Sequence, residues 1–176
     1  MLTLNTRIST ADKISAQLVL PYELRENSRL RTALASGEEV AIFTPRGTVL
    51  RNNDLLTGDD GRVVQIVAAQ ESTYRITCAN PHDLLRCAFH LGNRHTQTQV
   101  GEGFLRIVRD NVLKEMLEGL GATVMEEDAQ FEPEAGAYSS GGHHHHGESG
   151  QGHAHGPLAP IPVHQKIHRP SDIPSR

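Results

Sequence analysis

From about residue 72 the hydrophobic period of this chain switches back and forth between two and roughly 3.6 residues, and that order of switches admits few folds. Ser72-Thr-Tyr-Arg-Ile-Thr77 alternates as a strand. Asn80-Pro81 then offers a capping side chain followed by a proline at the first helical position, where its missing N–H costs nothing. Leu84, Leu85, Ala88 and Leu91 recur at helical spacing, with Gly92 placed to stop the helix in the left-handed conformation. His95 to Val100 and Phe104 to Val108 alternate around the turn Gly101-Glu102-Gly103. Asp110 caps a second helix whose Val112, Leu113, Met116, Leu117 and Leu120 form one stripe ending at Gly121, and Ala122 to Met125 begin a last strand. Strand, helix, strand, strand, helix, strand is the order of a ferredoxin-like βαββαβ unit. Four strands backed by two helices leave one sheet face for a neighbouring domain or a second copy to cover.

The preceding residues read differently. Leu2 to Ile8, Ala16 to Leu20, Val40 to Thr44, Thr48 to Leu50 and Val63 to Ala68 are short, β-branched and often alternating. Ser36-Gly37, Pro45-Arg46-Gly47, Asn52-Asn53-Asp54 and Gly58-Asp59-Asp60-Gly61 supply turn chemistry between them, so a small antiparallel meander is expected, with Ser28 to Ala35 open to a helical turn. The fold class is α+β: an N-terminal antiparallel β-domain over residues 1–71, the ferredoxin-like domain over 72–138, and a His-rich tail over 139–176. The tail holds six glycines, five prolines and no aromatic residue, too little apolar surface to offset the entropy of ordering, so it is expected to be disordered without metal.

Eight of the eleven histidines fall in that tail: His143, His144, His145, His146, His153, His155, His164 and His168. Imidazole is a common ligand for late first-row divalent metals, and the flanking glycines let neighbouring rings turn toward one ion. A run of four internal histidines, followed by a spaced His-Ala-His pair and ordinary sequence, is too short and too badly placed to be a purification tag. Metal binding is therefore expected of His143–His146, His153 and His155. Because a bound imidazole must be deprotonated, tail loading should weaken below about pH 6.

The formal net charge is -4, with 14 Lys+Arg against 19 Asp+Glu up to Tyr138 and 3 against 2 after it. Neither part is the polycation that grips nucleic acid by counterion release. No apolar run approaches the length that spans a bilayer, and the N-terminus lacks the charged start and apolar core of a signal peptide, so a cytosolic protein is expected. Cys78 and Cys87 are the two cysteines, nine apart and without the pairing of a zinc site. In a reducing compartment they act as small buried hydrophobes, with Cys87 a secondary candidate as a soft ligand.

Outside the tail the histidines are His82, His90 and His95. His82 and His90 stand eight residues apart on the polar face of the first helix, not the four that lets two rings share an ion. His95 follows the tight exit Gly92-Asn93-Arg94, which fixes its direction. One imidazole cannot hold a divalent ion, but an isologous dimer presents it twice about one axis, and tail histidines can complete the shell.

The segment His90-Leu91-Gly92-Asn93-Arg94-His95, with Gln99 after it, resembles the His-Leu-Gly-Asn-Arg-His block of the urease accessory protein UreE family, the nickel metallochaperones. Ser28-Arg29-Leu30-Arg31 with Gly37-Glu38-Glu39-Val40, Pro45 to Arg51, and Phe131 to Tyr138 agree with it, so the resemblance covers nearly all of residues 1–138. It implies an N-terminal β-domain that docks to partners, a ferredoxin-like domain that dimerises, and delivery of Ni2+ to the urease apoenzyme alongside other urease accessory proteins, including the GTPase. It also implies that His95 binds nickel jointly with its mate at the dimer interface. Some members carry two further histidines flanking the aspartate that starts the second helix; here Arg109 and Asn111 flank Asp110, so that site is expected to be missing.

Ligand chemistry alone does not select nickel, because imidazole sites favour Cu2+ intrinsically and Zn2+ competes. The alternative to a carrier is storage or sequestration of metal by the tail. A metal hydrolase fits poorly: there is no His-Glu-x-x-His helix and no nucleophile motif, so the chain is not expected to be an enzyme.

Overall fold

The structure, a computed structural model, describes residues 1–135; the expected disordered tail lies outside them. The first half contains seven strands and one short helix. A three-stranded sheet runs in the order β1 (Leu2–Leu4), β5 (Glu39–Phe43), β4 (Arg29–Ala33), and a four-stranded sheet in the order β2 (Thr6–Ile8), β6 (Leu55–Thr57), β7 (Val63–Ala68), β3 (Ala16–Leu20). Alternation places the core: Val64, Ile66 and Ala68 of β7 are buried, as are Leu18 and Leu20 of β3. Val64, Ile66, Leu18 and Leu20 meet Leu2, Leu4, Ile42, Leu50 and Leu56 in one cluster.

These sheets are mixed and not a simple antiparallel meander. β1 runs parallel to β5, and β3 parallel to β7, while β4–β5, β2–β6 and β6–β7 are antiparallel. Alternation fixes which face of a strand is buried but says nothing of the direction of its partner. The expected strand Leu2 to Ile8 is split, β1 joining one sheet and β2 the other. Ser28 to Ala35 gives β4 where a helical turn was open, Thr48 to Leu50 forms no strand, and the short helix α1 (Tyr22–Arg25) went unread. Turn chemistry fares better: Gly37, Gly47, Asn53 and Gly61 all have positive φ. Gly58 serves another purpose, since a Cβ there would lie 1.7 Å from the Thr3 carbonyl oxygen.

In the second half the sheet order is β11 (Thr123–Gln130), β8 (Gln70–Thr77), β10 (Phe104–Val108), β9 (Gln99–Gly101), with every neighbouring pair antiparallel. With α2 (Pro81–Asn93) and α3 (Asn111–Gly119) on one face, this is the ferredoxin-like arrangement that the period switches predict. Both helix starts are as read: Asn80 accepts from the Asp83 amide at 2.9 Å and Asp110 from the Leu113 amide at 3.0 Å. The helices bury Cys87, Leu91 and Leu117 against Tyr74, Ile76, Leu105 and Ile107. Leu85 and Val112, expected on the buried stripes, are 69% and 71% exposed, because each lies at the margin of a helical face too narrow to bury them.

Beyond β11 the chain turns back onto the first half. Phe131 is fully buried, its ring edge-on to Tyr22 at 5.6 Å. Glu132 pairs with the buried Arg25, whose Nη2 donates to the Phe131 carbonyl and Nη1 to the Leu50 carbonyl. Arg51 also reaches Glu132, at 3.1 Å, and donates to the Pro133 carbonyl at 2.8 Å. The Asn52 amide donates to Glu132 at 3.0 Å.

Candidate functional site

α2 continues through Gly92 to Asn93, so Gly92 does not stop it in the left-handed conformation. The stop falls three residues later. The Thr96 amide donates to the Leu91 carbonyl at 3.1 Å and the His95 amide to the Gly92 carbonyl at 2.9 Å, the paired bonds of a Schellman ending, and the left-handed residue it requires is His95, with φ of +53°. α3 ends in the same way: Ala122 donates to Leu117, Gly121 to Glu118, and the left-handed position is Gly121, with φ of +90°. The chain thus builds one motif twice, once with the residue that suits it and once with a histidine.

His95 lies in an exposed turn and not in the strand expected from residue 95, since β9 begins at Gln99. His95 lines a pocket of about 350 Å³ together with Ala88, Thr96, Thr98, Val100 and Glu134. Beside it Leu85 and Phe89, one helical turn apart on the outer side of α2, are 69% and 64% exposed, and Val100 is 56% exposed. This apolar stripe was not read from the sequence, though its signal is there in two large hydrophobes at i and i+4 off the core-facing positions.

Neither of the other two histidines among the described residues lines the His95 pocket. His82 is exposed and 3.7 Å from Asp83, and His90 is half-buried with its ring edge-on to Phe89 at 5.5 Å. Among the described residues no group of three His, Cys, Asp or Glu side chains could hold a metal ion. His143, His144, His145, His146, His153 and His155 lie outside the described residues. At the start of α3, Arg109 is engaged with Glu126 at 3.1 Å and Asn111 accepts from the Tyr74 hydroxyl at 2.9 Å, so both positions hold structural contacts.

Cys87 is buried within the helix–sheet core and Cys78 half-buried, with their sulfurs 3.9 Å apart. Burial, reinforced by the neighbouring Cys78 thiol, pushes the Cys87 thiol up to about 11. It stays protonated at neutral pH, the behaviour of a packing residue. Among the described residues no helix is long and apolar enough to cross a membrane.

The two halves match known families separately. Residues 4–69 match the UreE urease accessory protein, N-terminal domain, and residues 71–156 the UreE urease accessory protein, C-terminal domain. A urease accessory protein UreE of Nitrosospira multiformis is 93% identical over 176 residues, covering 100% of both chains. The urease accessory protein UreE of Janthinobacterium sp. (strain Marseille) is 67% identical over 98% of each chain, and that of Pseudomonas savastanoi pv. phaseolicola 46% identical over 86% of this chain and 90% of its own. Matches of this extent across both halves place the chain in the UreE family of urease accessory proteins.

Proposed function

We propose that this chain is a nickel carrier of urease maturation: a homodimer, not an enzyme, that takes up Ni2+ in the cytoplasm and passes it to the urease apoenzyme in company with other urease accessory proteins, including the GTPase. The name shared by its relatives supports the urease part of this reading. The observation that carries the metal part is His95, an exposed imidazole on a left-handed turn beside an exposed apolar stripe. Two copies meeting through Leu85, Phe89 and Val100 set two imidazoles about one axis, giving two nitrogen ligands.

Two ligands fall short of a firm site, and the tail supplies the remainder. Its root is close at hand, since Glu134 lines the His95 pocket. An extended chain advances about 3.5 Å per residue, so His143, eight residues beyond Ala135, can reach at most about 28 Å from it. His143–His146, His153 and His155 act as capture ligands that complete the shell. Zn2+ and Cu2+ compete for the same nitrogens, so nickel specificity rests on supply and on the partners and not on imidazole. The N-terminal β-domain, residues 1–71, docks to partners, residues 72–138 bind metal and dimerise, and residues 139–176 are the antenna.

Calorimetric titration with Ni2+, with mass measured at each step, tests this. A chain ending after Tyr138 should keep one shared but weakened site per dimer, and His95→Ala should remove it. Equal binding by the truncated parent and its His95→Ala form would overturn the site. Intact binding with no association with urease assembly proteins and no effect on urease activation would favour storage.

A further inference from the structure

We propose that Glu134 is a carboxylate ligand of the ion held at His95, an inference that rests on the nickel-carrier reading. Of the residues that line the His95 pocket, Glu134 is the one anionic residue, and the rest beside His95 are apolar, hydroxyl or amide. Its neighbour Glu132 is occupied by Arg25, Arg51 and the Asn52 amide, whereas the Glu134 carboxylate is exposed and has no hydrogen-bond or ion-pair partner among the described residues.

The backbone behind that carboxylate is held in place. The Glu134 amide donates to the Thr98 carbonyl at 2.9 Å, the Glu132 amide to the Gln99 side chain at 3.0 Å, and Arg51 grips the Pro133 carbonyl at 2.8 Å. Thr98 and Gln99 lie three and four residues after His95, so the segment bearing the carboxylate is bonded to the segment bearing the imidazole. Late first-row divalent ions accept mixed imidazole and carboxylate shells, and a carboxylate offsets cationic charge as the neutral rings cannot. Doubled by the two-fold axis, His95 and Glu134 give two nitrogens and two oxygens before any tail residue arrives.

The test uses the full chain at neutral pH, titrated calorimetrically with Ni2+, and compares the parent with Glu134→Gln, His95→Ala and the double variant. Glu134→Gln should weaken the tightest step about tenfold or more, and should add nothing once His95 is gone. Because a changed backbone could also weaken binding, the side-chain carboxyl signal of Glu134 is followed by 13C NMR. A direct ligand broadens or shifts with the first equivalent of paramagnetic Ni2+. Parent-like affinity in Glu134→Gln, or an unmoved carboxyl signal, while His95→Ala loses the tight step, overturns the carboxylate and leaves the carrier reading standing. Loss of neither step with either variant overturns the His95 site itself.

Discussion

His95 occupies a position where glycine is the unstrained choice, and Gly121 shows the same motif closed without strain. A non-glycine residue in the left-handed region costs about 1 kcal/mol. His95→Gly should therefore raise stability by about that amount while removing the tight metal step, and Gly121→Ala should lower stability by a similar amount with metal binding intact. Denaturant unfolding beside nickel titration checks both, and a destabilised His95→Gly would refute the strain argument. The local motif His-Leu-Gly-Asn-Arg-His makes His95 a candidate ligand, but the glycine within it draws the expected helix stop to the wrong place. Cys87 yields a prediction of pH dependence. Its folded value, about 11, lies above the usual thiol range, so its stabilising share is complete below about pH 8.5 and is lost as pH rises through 11. The stability gap between the parent and Cys87→Ala should narrow over that window, measured by urea midpoints at pH 8 and pH 10.5; a constant gap would contradict it.

At the scale of elements, what could be read was what is local. Both helix caps are i to i+3 contacts written in adjacent residues, Asn80 to Asp83 and Asp110 to Leu113, and the stripes they introduce bury Leu91 and Leu117 as their spacing demands. Asp110→Ala should cost about 1 kcal/mol through the lost cap. The strand partners of the first half were not legible, because pairing β1 with β5 joins residues nearly forty apart and no local signal distinguishes parallel from antiparallel. Gly58 belongs to this second kind. It permits a strand from the start of the chain to pass 1.7 Å from where its Cβ would be, a contact visible only once the sheets are assembled. Gly58→Ala forces backbone apart from backbone, and we expect a loss of about 3 kcal/mol or failure to fold, against about 1 kcal/mol for an ordinary turn glycine. A thermal midpoint close to the parent's would contradict the assigned contact.

Across the described residues, two separate hydrophobic clusters are joined by a polar knot, with Tyr22 to Glu71 and Gln97 to Glu26 as further links, and the chain runs from that knot to Glu134 beside the candidate metal site. The knot centres on Arg25, fully buried, with its charge answered by Glu132, its Nη1 and Nη2 also donating to the Leu50 and Phe131 carbonyls, and its Nε without a partner among the described residues. Glu132 in turn ties Arg51 and the Asn52 amide. Such a pair gains little over an apolar substitute, but removing Glu132 strands the buried Arg25 guanidinium without its counter-charge, which costs about 3–5 kcal/mol. Glu132→Ala should therefore destabilise by that order and uncouple the halves, so that one unfolding transition becomes two in calorimetry. Arg25→Met with Glu132→Gln, which removes both charges together, should recover much of the loss. The knot also positions the root of the tail, so Glu132→Ala, studied where it remains folded, should weaken tight Ni2+ binding although residue 132 binds the arginines and does not line the His95 pocket. If Glu132→Ala unfolds in a single step and binds nickel as the parent does, then the two halves are held by something other than this knot, and the tail has no need of a fixed point of departure.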